Sequence, residues 1–447
     1  MSLPVADLTP FAARRRRVLE WMQSQGGGIA LVATAAQHQR NRDGDYPYRH
    51  DSDFYYLTGF TEPEAWLVLI AGAQTRSVLF CRPRNEAQEI WEGRRVGPEA
   101  AAEQFGLDDA YPVEQLPECL PPWMLDRPCL WLSQSARPAV QETAQTALRA
   151  AHEQARAGAR APATLRDLDP VLAEMRLIKD GSEIAAMRRA ARISAGAHAR
   201  AMRAARPGMR EYELEAELLY EFRRHGAQAP AYNSIVAAGA NACILHYPAG
   251  DAELRDGDLV LIDAGCEFDS YAADITRTFP VNGRYSGPQR ALYDLTVAAQ
   301  QAAADATAPG RHWDEGHQAA LRVLAQGMLD EKLLQGSLDG VLESGAYARF
   351  YMHRTGHWLG LDVHDVGDYR GIAPEPGAPR PWRLLEPGMT LTIEPGIYVP
   401  RADDVPPAFW DIGIRTEDDA LITEEGCELI TRGVPVDARE IEALMRE

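Results

Sequence analysis

The chain has 447 residues, with 46 lysines and arginines against 65 aspartates and glutamates, so its formal net charge is −19. This acidic balance argues against nucleic-acid binding, because such binding neutralises phosphates with clustered basic residues. The length predicts two or three domains, and no apolar run is long enough to span a membrane.

The only basic run, Arg14 to Arg17, is expected to form the solvated face of a first helix. Six cysteines are scattered without a Cys-x-x-Cys pair, which favours a reducing compartment over a disulfide framework. The N-terminal residues lack the apolar stretch of a secretory signal. We therefore expect a cytoplasmic protein. The early arginines are compatible with a mitochondrial targeting sequence, although Asp7 and the helical pattern favour a helix of the folded protein.

The first 170 residues alternate helical and strand-like segments, which predicts an α/β domain. A boundary is expected near residue 175, because Asp180 and Glu183 have the spacing of a capping box at a helix start. The predicted domains are therefore 1–175 and 176–447. Helices are expected at 12–22 and 140–156, and strands at 29–33, 66–70, 77–80 and 130–132.

The second domain is predicted to begin with two helices and to continue as strands and turns from Ser234. Leu214, Leu218 and Phe222 recur at helical spacing and are interpreted as core positions of the second helix. Another helical stretch is expected around 288–330, and four prolines at 374–381 indicate a loop.

Two segments place acids at the ends of apolar strands. In the first, the run 259–262 ends on Asp263, and a turn at 267–270 leads to a second strand with Asp274. A hairpin centred between Phe268 and Asp269 would place these two acids directly opposite each other. Two such carboxylates repel unless a cation lies between them.

The second segment has a similar layout. Its apolar run ends on Glu394, and pairing about the loop at 405–407 brings Glu417 opposite that residue. Arg415 lies two residues before Glu417 and hence on the same strand face. Two hairpins that each carry two acids are a more specific indication of a functional site than one such pair.

Histidines complete the set of candidate ligands. His353, His357 and His364 lie within one short segment, and His246 precedes the first hairpin. The segment is not a His-Glu-x-x-His helix, because Gly356 and Gly360 argue against a helix, so we expect one of these histidines to be a ligand.

Four carboxylates and one imidazole suit two divalent cations that share bridging acids and activate a water molecule. Ligands rich in oxygen favour Mn²⁺, while Zn²⁺, Co²⁺ and Fe²⁺ are also compatible with them. No Gly-x-Ser-x-Gly motif offers a competing nucleophile.

The ordered acids and histidine, in their local contexts, resemble the dimetal site of the creatinase/methionine-aminopeptidase ("pita-bread") superfamily and its M24 metallopeptidases. The closer resemblance is to the aminopeptidase P (Xaa-Pro aminopeptidase) family. The segments that carry it are 244–247, 357–365, 393–396 and 413–419, and in the N-terminal half 46–49, 52–60 and 62–65.

This resemblance implies a creatinase-like α/β domain followed by a pita-bread α+β domain with two metal ions, usually Mn²⁺. It implies a substrate peptide with proline in second position, whose first residue is removed when a metal-bridging hydroxide attacks the scissile carbonyl. Homo-oligomers, as dimers or tetramers, are also expected. The implied metal ligands are Asp263, Asp274, His357, Glu394 and Glu417.

Further roles follow from the same resemblance. Asp274 and Glu417 would bridge both ions, Asp263 would chelate one ion, and His357 and Glu394 would bind the other. Glu394 would also handle the proton of the hydroxide. His246 and His364 would position the substrate carbonyl and amide, while His353 and Arg415 would orient other groups or relay protons.

Two residues are left with alternative interpretations. Trp91 is either part of a substrate-pocket wall or a packed indole, and Arg354 either alters the pocket or faces solvent. Three rival functions are a prolidase of the same fold, a binding module without catalysis and a dimetal phosphoesterase. The intact ligand set argues against the binding module. The lack of a basic phosphate clamp beyond Arg415 argues against the phosphoesterase.

Overall fold

The computed structural model describes residues 8–154 and 158–447, which divide between Ala173 and Glu174 into two compact units. The predicted helix end at Arg156, and Asp7, lie outside the described residues. Within them, no helix combines the length and apolarity that a membrane crossing requires.

The first unit alternates strands and helices, as its apolar pattern predicts. Its helices are α1 (Thr9–Ser24), α2 (Ser52–Thr58), α3 (Glu86–Glu92), α4 (Pro98–Gln104), α5 (Leu116–Met124) and α6 (Pro138–Gln154), with a 3₁₀ turn at Val113–Gln115; α7 (Asp169–Leu177) runs across the division. Its strands are β1 (Gly28–Ala33), β2 (Gln39–Asn41), β3 (Gly44–Asp45), β4 (Trp66–Ala71), β5 (Arg76–Cys81), β6 (Asp109–Pro112), β7 (Cys129–Leu132) and β8 (Thr164–Asp167).

Six of these strands form one mixed sheet in the order β6-β5-β4-β1-β7-β8. Strands β1 and β4 are apolar and almost wholly buried because helices cover the sheet, with α5 and α6 contributing to one hydrophobic core. Strand β1 pairs parallel with β7 and antiparallel with β4, so the sheet is mixed.

The first helix differs from its sequence prediction. Arg16 and Arg17 are exposed, but Arg14 and Arg15 are buried, so the expectation of a wholly solvated basic face is wrong. Arg15 Nη1 donates to the carbonyl of Leu57 at 2.8 Å, which gives the buried guanidinium a hydrogen-bond partner. Trp91 is 87% exposed, which contradicts the packed-indole alternative.

The second unit contains most of the hydrophobic core, formed by long helices packed on several small sheets. Its helices are α8 (Gly181–Ala204), α9 (Glu211–Arg224), α10 (Gly287–Ala306), α11 (Trp313–Asp330), α12 (Leu338–Ser344) and α13 (Ala438–Leu444), with 3₁₀ turns at Gly239–Cys243, Ala346–Arg349 and Pro407–Phe409. Its strands are β9 (Ala229–Pro230), β10 (Ile235–Ala238), β11 (Leu259–Asp263), β12 (Cys266–Phe268), β13 (Tyr271–Ala272), β14 (Thr276–Pro280), β15 (Thr390–Ile393), β16 (Gly396–Val399), β17 (Ile412–Arg415), β18 (Asp418–Ile422) and β19 (Cys427–Leu429).

Local predictions hold well in this unit. Helix α8 begins with the predicted capping box, in which Asp180 and Glu183 satisfy each other's backbone amides. Leu214, Leu218 and Phe222 are fully buried on α9. The helical stretch predicted around 288–330 is two helices, α10 and α11, separated at residues 307–312 by a turn that contains Pro309 and Gly310.

The first acid-bearing hairpin has a different register from the predicted one. Its turn is Asp269–Ser270, two residues with φ of 48° and 69°, and positive φ at both central residues is what a type I′ hairpin turn requires. Asp263 therefore pairs with Thr276, and the expectation that Asp263 and Asp274 are directly opposite is wrong. The error is two positions, so both acids keep the predicted face.

The second acid-bearing hairpin has the predicted register. Ile393 pairs with Asp418, and Gly396 pairs with Arg415, which sets Glu394 across from Glu417 between these two pairs. The two hairpins meet where Thr276 forms an isolated bridge with Glu417. Four acids that are distant in the sequence are thereby brought to one place.

Candidate metal centre

One cavity in the second unit, of about 820 Å³, contains every site residue predicted from the sequence. Asp274, Arg415 and Glu417 are buried, while His246 and His364 are exposed within it. The predicted residues that line the cavity are His246, Asp263, Asp274, His353, His357, His364, Glu394, Arg415 and Glu417.

A tight group of three ligand-type residues lies in this wall. Asp274, His357 and Glu417 each contribute one donor atom, and these three atoms lie within 4.8 Å of one another. His357 Nε2 is 3.5 Å from Asp274 Oδ2 and 3.6 Å from Glu394 Oε1. Asp263 is held close to Asp274, because the hydroxyl of Tyr232 bonds to Asp263 Oδ1 at 2.6 Å and to Asp274 Oδ1 at 2.5 Å.

The orientation of His357 is set by its backbone. Its Nδ1 lies 3.0 Å from the carbonyl of Trp358, which can only accept, so Nδ1 carries a hydrogen. Nε2 then presents its lone pair to the carboxylates when the ring is neutral, as a metal-ligating histidine does. The preceding Gly356 lets this segment approach strand β15, since a Cβ there would lie 2.0 Å from the carbonyl oxygen of Thr392.

The cluster carries more negative charge than its protein surroundings compensate. Burial first, and then the charge of Asp274, raise the pKa of Glu417 well above its usual range. Burial raises the pKa of Glu394 to about 7. Burial also raises the pKa of Asp263, although Arg415 opposes this.

The pKa values of two members of the cluster shift in the direction that favours their charged forms. Burial alone would raise the pKa of Asp274, but His357, Tyr232 and Arg415 outweigh it and lower the pKa. Burial would lower the pKa of His357, but its contact with Asp274 and the charge of Glu394 raise it to about 9. A proton on His357 therefore compensates negative charge in the metal-free protein.

The donor set fits divalent cations. Four acids face one another in the cavity wall, and carboxylates this close are stable in ionised form only with cations between them. His357 offers an oriented imidazole nitrogen on the same side. Oxygen donors with a single imidazole are the ligands that hard or intermediate divalent metals accept.

Arg415 links the acids to the strands behind them. Its Nη2 bonds to Asp263 Oδ2 at 2.5 Å, its Nε to Thr276 Oγ1 at 3.1 Å and its Nη1 to the hydroxyl of Tyr398 at 2.9 Å. Thr276 Oγ1 in turn donates to Glu417 Oε2 at 2.6 Å. Arg415 therefore orients ligand-type side chains rather than facing the cavity with a free charge.

His353 belongs to the same network. Its Nδ1 donates to the carbonyl of Arg354 at 2.7 Å, so its Nε2 accepts from the hydroxyl of Tyr398 at 2.9 Å. Burial, followed by the charge of Arg415, lowers the pKa of His353 to about 4, which keeps the ring neutral. The ring of His364 lies with its centroid 4.0 Å from that of His357.

Tyrosines and a threonine that the sequence analysis did not single out complete the site. Tyr232 bridges two acids, Tyr398 joins His353 to Arg415, and Thr355 fixes the backbone of Glu394 through its carbonyl at 2.8 Å. A signal existed for Tyr398, which lies four residues after Glu394 on the next strand. No local signal pointed to Tyr232, which is 31 residues before its first partner.

Comparison with known proteins gives the family context of this site. The model of metallopeptidase family M24 matches residues 185–424, and the model of the aminopeptidase P N-terminal domain matches residues 11–131. Together they bear out the fold class predicted from the sequence, a creatinase-like α/β domain followed by a pita-bread α+β domain.

Several curated and solved proteins are similar over nearly the whole chain. The chain is 45% identical over 437 residues to the Xaa-Pro aminopeptidase of Escherichia coli (strain K12), covering 97% of each protein. It is 31% identical to human Xaa-Pro aminopeptidase 3, covering 99% of this chain and 86% of that protein. The structure of Pseudomonas aeruginosa aminopeptidase PepP matches with a TM-score of 0.95 at 48% identity, covering 99% of each chain. A zinc-substituted form of E. coli aminopeptidase P in complex with product matches with a TM-score of 0.93 at 44% identity, covering 98% of each chain.

Proposed function

Since the chain belongs to the aminopeptidase P branch of metallopeptidase family M24 and is an aminopeptidase, we propose that it removes the first residue from peptides whose second residue is proline. The observation that carries this proposal is the meeting of four carboxylates and an oriented imidazole in the wall of one cavity. That arrangement suits hydrolysis of a peptide bond by a metal-activated water. The cavity volume of about 820 Å³ lies in the usual range for ligand pockets and leaves room for residues beyond proline.

We assign two divalent ions, Mn²⁺ by preference, to five ligands: Asp263, Asp274, His357, Glu394 and Glu417. When bound, such ions supply a hydroxide nucleophile at neutral pH and polarise the scissile carbonyl. The proposed bridging role of Asp274 and Glu417 is supported by their donor atoms, which lie together with that of His357. Oxygen-rich ligation supports Mn²⁺ over metals that prefer thiolates.

The remaining residues act on substrate and protons. Glu394 holds a proton at a carboxylate oxygen beside His357 and passes it to the leaving amine. His246 and His364, both exposed in the cavity, would position the substrate carbonyl and amide. His353 and Arg415, which Tyr398 joins, orient the neighbouring ligand-type side chains, Asp263 among them.

We extend the proposal to organisation and location. Residues 176–447 would form the catalytic domain and residues 1–175 a creatinase-like domain, in a homodimer or homotetramer. Six unpaired cysteines support a reducing, cytoplasmic location. Light scattering of the purified protein would give the oligomeric state, and a monomer would refute that part.

The experiment that tests the activity combines metal dependence with substrate length. Protein stripped with chelator is reloaded with Mn²⁺, and release of the first residue from Arg-Pro-Pro and from Ala-Pro is followed by mass spectrometry. We expect metal-dependent cleavage of the tripeptide, with slower cleavage of the dipeptide. Cleavage of the dipeptide alone would make the protein a prolidase.

Variants separate the proposed ligands from other acids. Asp274→Asn should abolish cleavage at any Mn²⁺ concentration, because it removes a ligand proposed to bridge both ions. Asp403→Asn changes an exposed acid that does not line the cavity, and it should retain full activity. Cleavage by both variants at equal rates would refute the assigned metal centre.

A further inference from the structure

One part of the cavity wall is formed by Trp382 and Arg354, neither of which has a role in the proposed reaction. The guanidinium carbon of Arg354 lies 5.0 Å from the centre of the Trp382 ring, within range of a cation–π interaction. Trp382 is partly buried, and its carbonyl accepts a hydrogen bond from His312 Nδ1 at 2.8 Å. The backbone that carries the ring is thus held in place beside the arginine.

The backbone of Arg354 is also fixed. Its carbonyl accepts a hydrogen bond from His353 Nδ1 at 2.7 Å, and the hydroxyl of the next residue, Thr355, bonds to His317 Nδ1 at 2.8 Å. The side chain itself is exposed, and it forms no ion pair with any residue in 8–154 or 158–447. An anchored backbone and a stacked guanidinium reduce the entropy that ligand binding would cost.

The charge balance of the cavity leaves Arg354 available to a ligand. Among the described residues that line the cavity, Arg354 and Arg415 are the two with a permanent positive charge. Arg415 is only 4% exposed and is engaged by Asp263 and two hydroxyls. Two divalent ions would compensate the four carboxylates, so none of those acids needs Arg354 as a partner.

We infer that Arg354, stacked on Trp382, binds a carboxylate on the part of the substrate that follows proline. The inference rests on the proposed function, because the free amine and the scissile carbonyl must then lie at the carboxylate cluster. The portion of the peptide left to reach Arg354 is the portion on the C-terminal side of the cleaved bond. A guanidinium suits this ligand, since its planar fork pairs with both oxygens of a carboxylate.

Two substrate features have this chemistry. One is the terminal carboxylate of a short peptide, and the other is an acidic side chain in a longer one. Arg370 provides a matched control, because its guanidinium also lies against Trp382, at 3.3 Å from the ring centre, but Arg370 does not line the cavity.

The test compares kcat/KM of the Mn²⁺-loaded enzyme on Arg-Pro-Pro and on its C-terminal amide. A partly exposed charge-assisted pair predicts that wild type prefers the free acid by about three- to tenfold, mostly through KM. Arg354→Gln should reduce the ratio of kcat/KM for acid over amide to about one, because it lowers kcat/KM for the free-acid peptide and leaves that for the amide unchanged. Arg370→Gln should keep the wild-type ratio.

A second pair of substrates separates the two sources of the carboxylate. The amidated peptides Arg-Pro-Gly-Glu and Arg-Pro-Gly-Gln differ only in a side-chain charge. A preference for the Glu peptide that Arg354→Gln abolishes would support recognition of an acidic side chain. A preference confined to the free acid of Arg-Pro-Pro would support recognition of the terminus.

Two results would overturn the inference while the proposed function stands. If wild type cleaves acid and amide, and Glu and Gln peptides, at equal kcat/KM, Arg354 recognises no substrate carboxylate. The same holds if a preference exists and Arg354→Gln leaves it unchanged. If wild type cleaves none of the four peptides, the proposed function itself fails, and the inference fails with it.

Discussion

Replacing Glu417 by glutamine is expected to remove about half or more of the stabilisation by metal while leaving the metal-free protein as stable as wild type. Because burial and the charge of Asp274 raise the pKa of Glu417 well above its usual range, we expect its carboxyl to take up a proton when no metal is bound. A glutamine amide has the same shape and charge. Its oxygen can still accept the hydrogen bond that Thr276 Oγ1 donates at 2.6 Å. The substitution therefore removes a proposed ligand but no interaction that the metal-free protein needs.

The size of the effect follows from linkage. A ligand at 100 times its Kd that binds only the native state stabilises it by about 2.7 kcal/mol, and two ions stabilise it by about twice that. The site lies within a unit of about 270 residues, whose unfolding entropy is then about 0.6 kcal/mol/K. Two ions should raise the unfolding midpoint of this unit by about 9 °C, and one ion by about 5 °C.

Differential scanning calorimetry with and without Mn²⁺ measures these shifts on chelator-treated protein. We expect the full shift for wild type and a shift of about 5 °C or less for Glu417→Gln. Glu425→Gln, which changes an exposed acid on a turn, should retain the full shift. A full shift in Glu417→Gln would refute the proposed ligand. A metal-free Glu417→Gln that melts far below wild type would refute the neutral state of Glu417.

Three further substitutions test other parts of the unit. Arg415→Met leaves the largely buried Asp263 carboxylate without its cation, so the metal-free protein should lose about 3–5 kcal/mol in urea unfolding. A loss below about 1 kcal/mol would contradict this role. Burial lowers the pKa of His198 from 6.5 to about 4, so the unfolded chain binds more protons between these values and stability falls as pH drops through this range. The glutamine of His198→Gln can still donate to the same backbone carbonyl. This variant should lose about 2 kcal/mol less stability than wild type between pH 7 and pH 5. An unchanged pH dependence would exclude His198 as the source of this loss. Gly356→Ala should destabilise the protein by about 1–3 kcal/mol and weaken Mn²⁺ binding, since its Cβ meets a strand carbonyl; Gly181→Ala, with open space around it, is the control, and equal effects would argue against close packing at Gly356.

The acid-bearing hairpins show what strand periodicity can and cannot predict. Side chains alternate along a strand, so the sequence places Asp263 and Asp274 on one face whatever the detailed pairing. The pairing itself depends on which two residues form the turn. Asp269 and Ser270 adopt left-handed conformations that few non-glycine residues adopt, and the sequence pattern indicated only a turn at 267–270, not which two of its residues would be central. The predicted register was therefore wrong by two positions while the predicted face was right.

Arg354 is a second example of what the sequence pattern can and cannot predict. The sequence identifies a charged side chain between two histidines and leaves its direction open, because loop residues have no periodicity that assigns a face. The structure stacks it on Trp382, which lies 28 residues further along the chain in a proline-rich loop. Only the folding of that loop against the cavity brings the two together.

The sequence by itself determined which side chains supply the carboxylates and the imidazole, where most long helices and buried strands lie, and which family the chain resembles. These properties are local, since hydrophobic period, caps and motif spacing are legible within short windows. Tertiary structure alone decided that Tyr232 bridges two acids, that Tyr398 links His353 to Arg415, and that Arg14 and Arg15 are buried. Each of these contacts joins residues far apart in the chain, and its geometry depends on how whole elements pack.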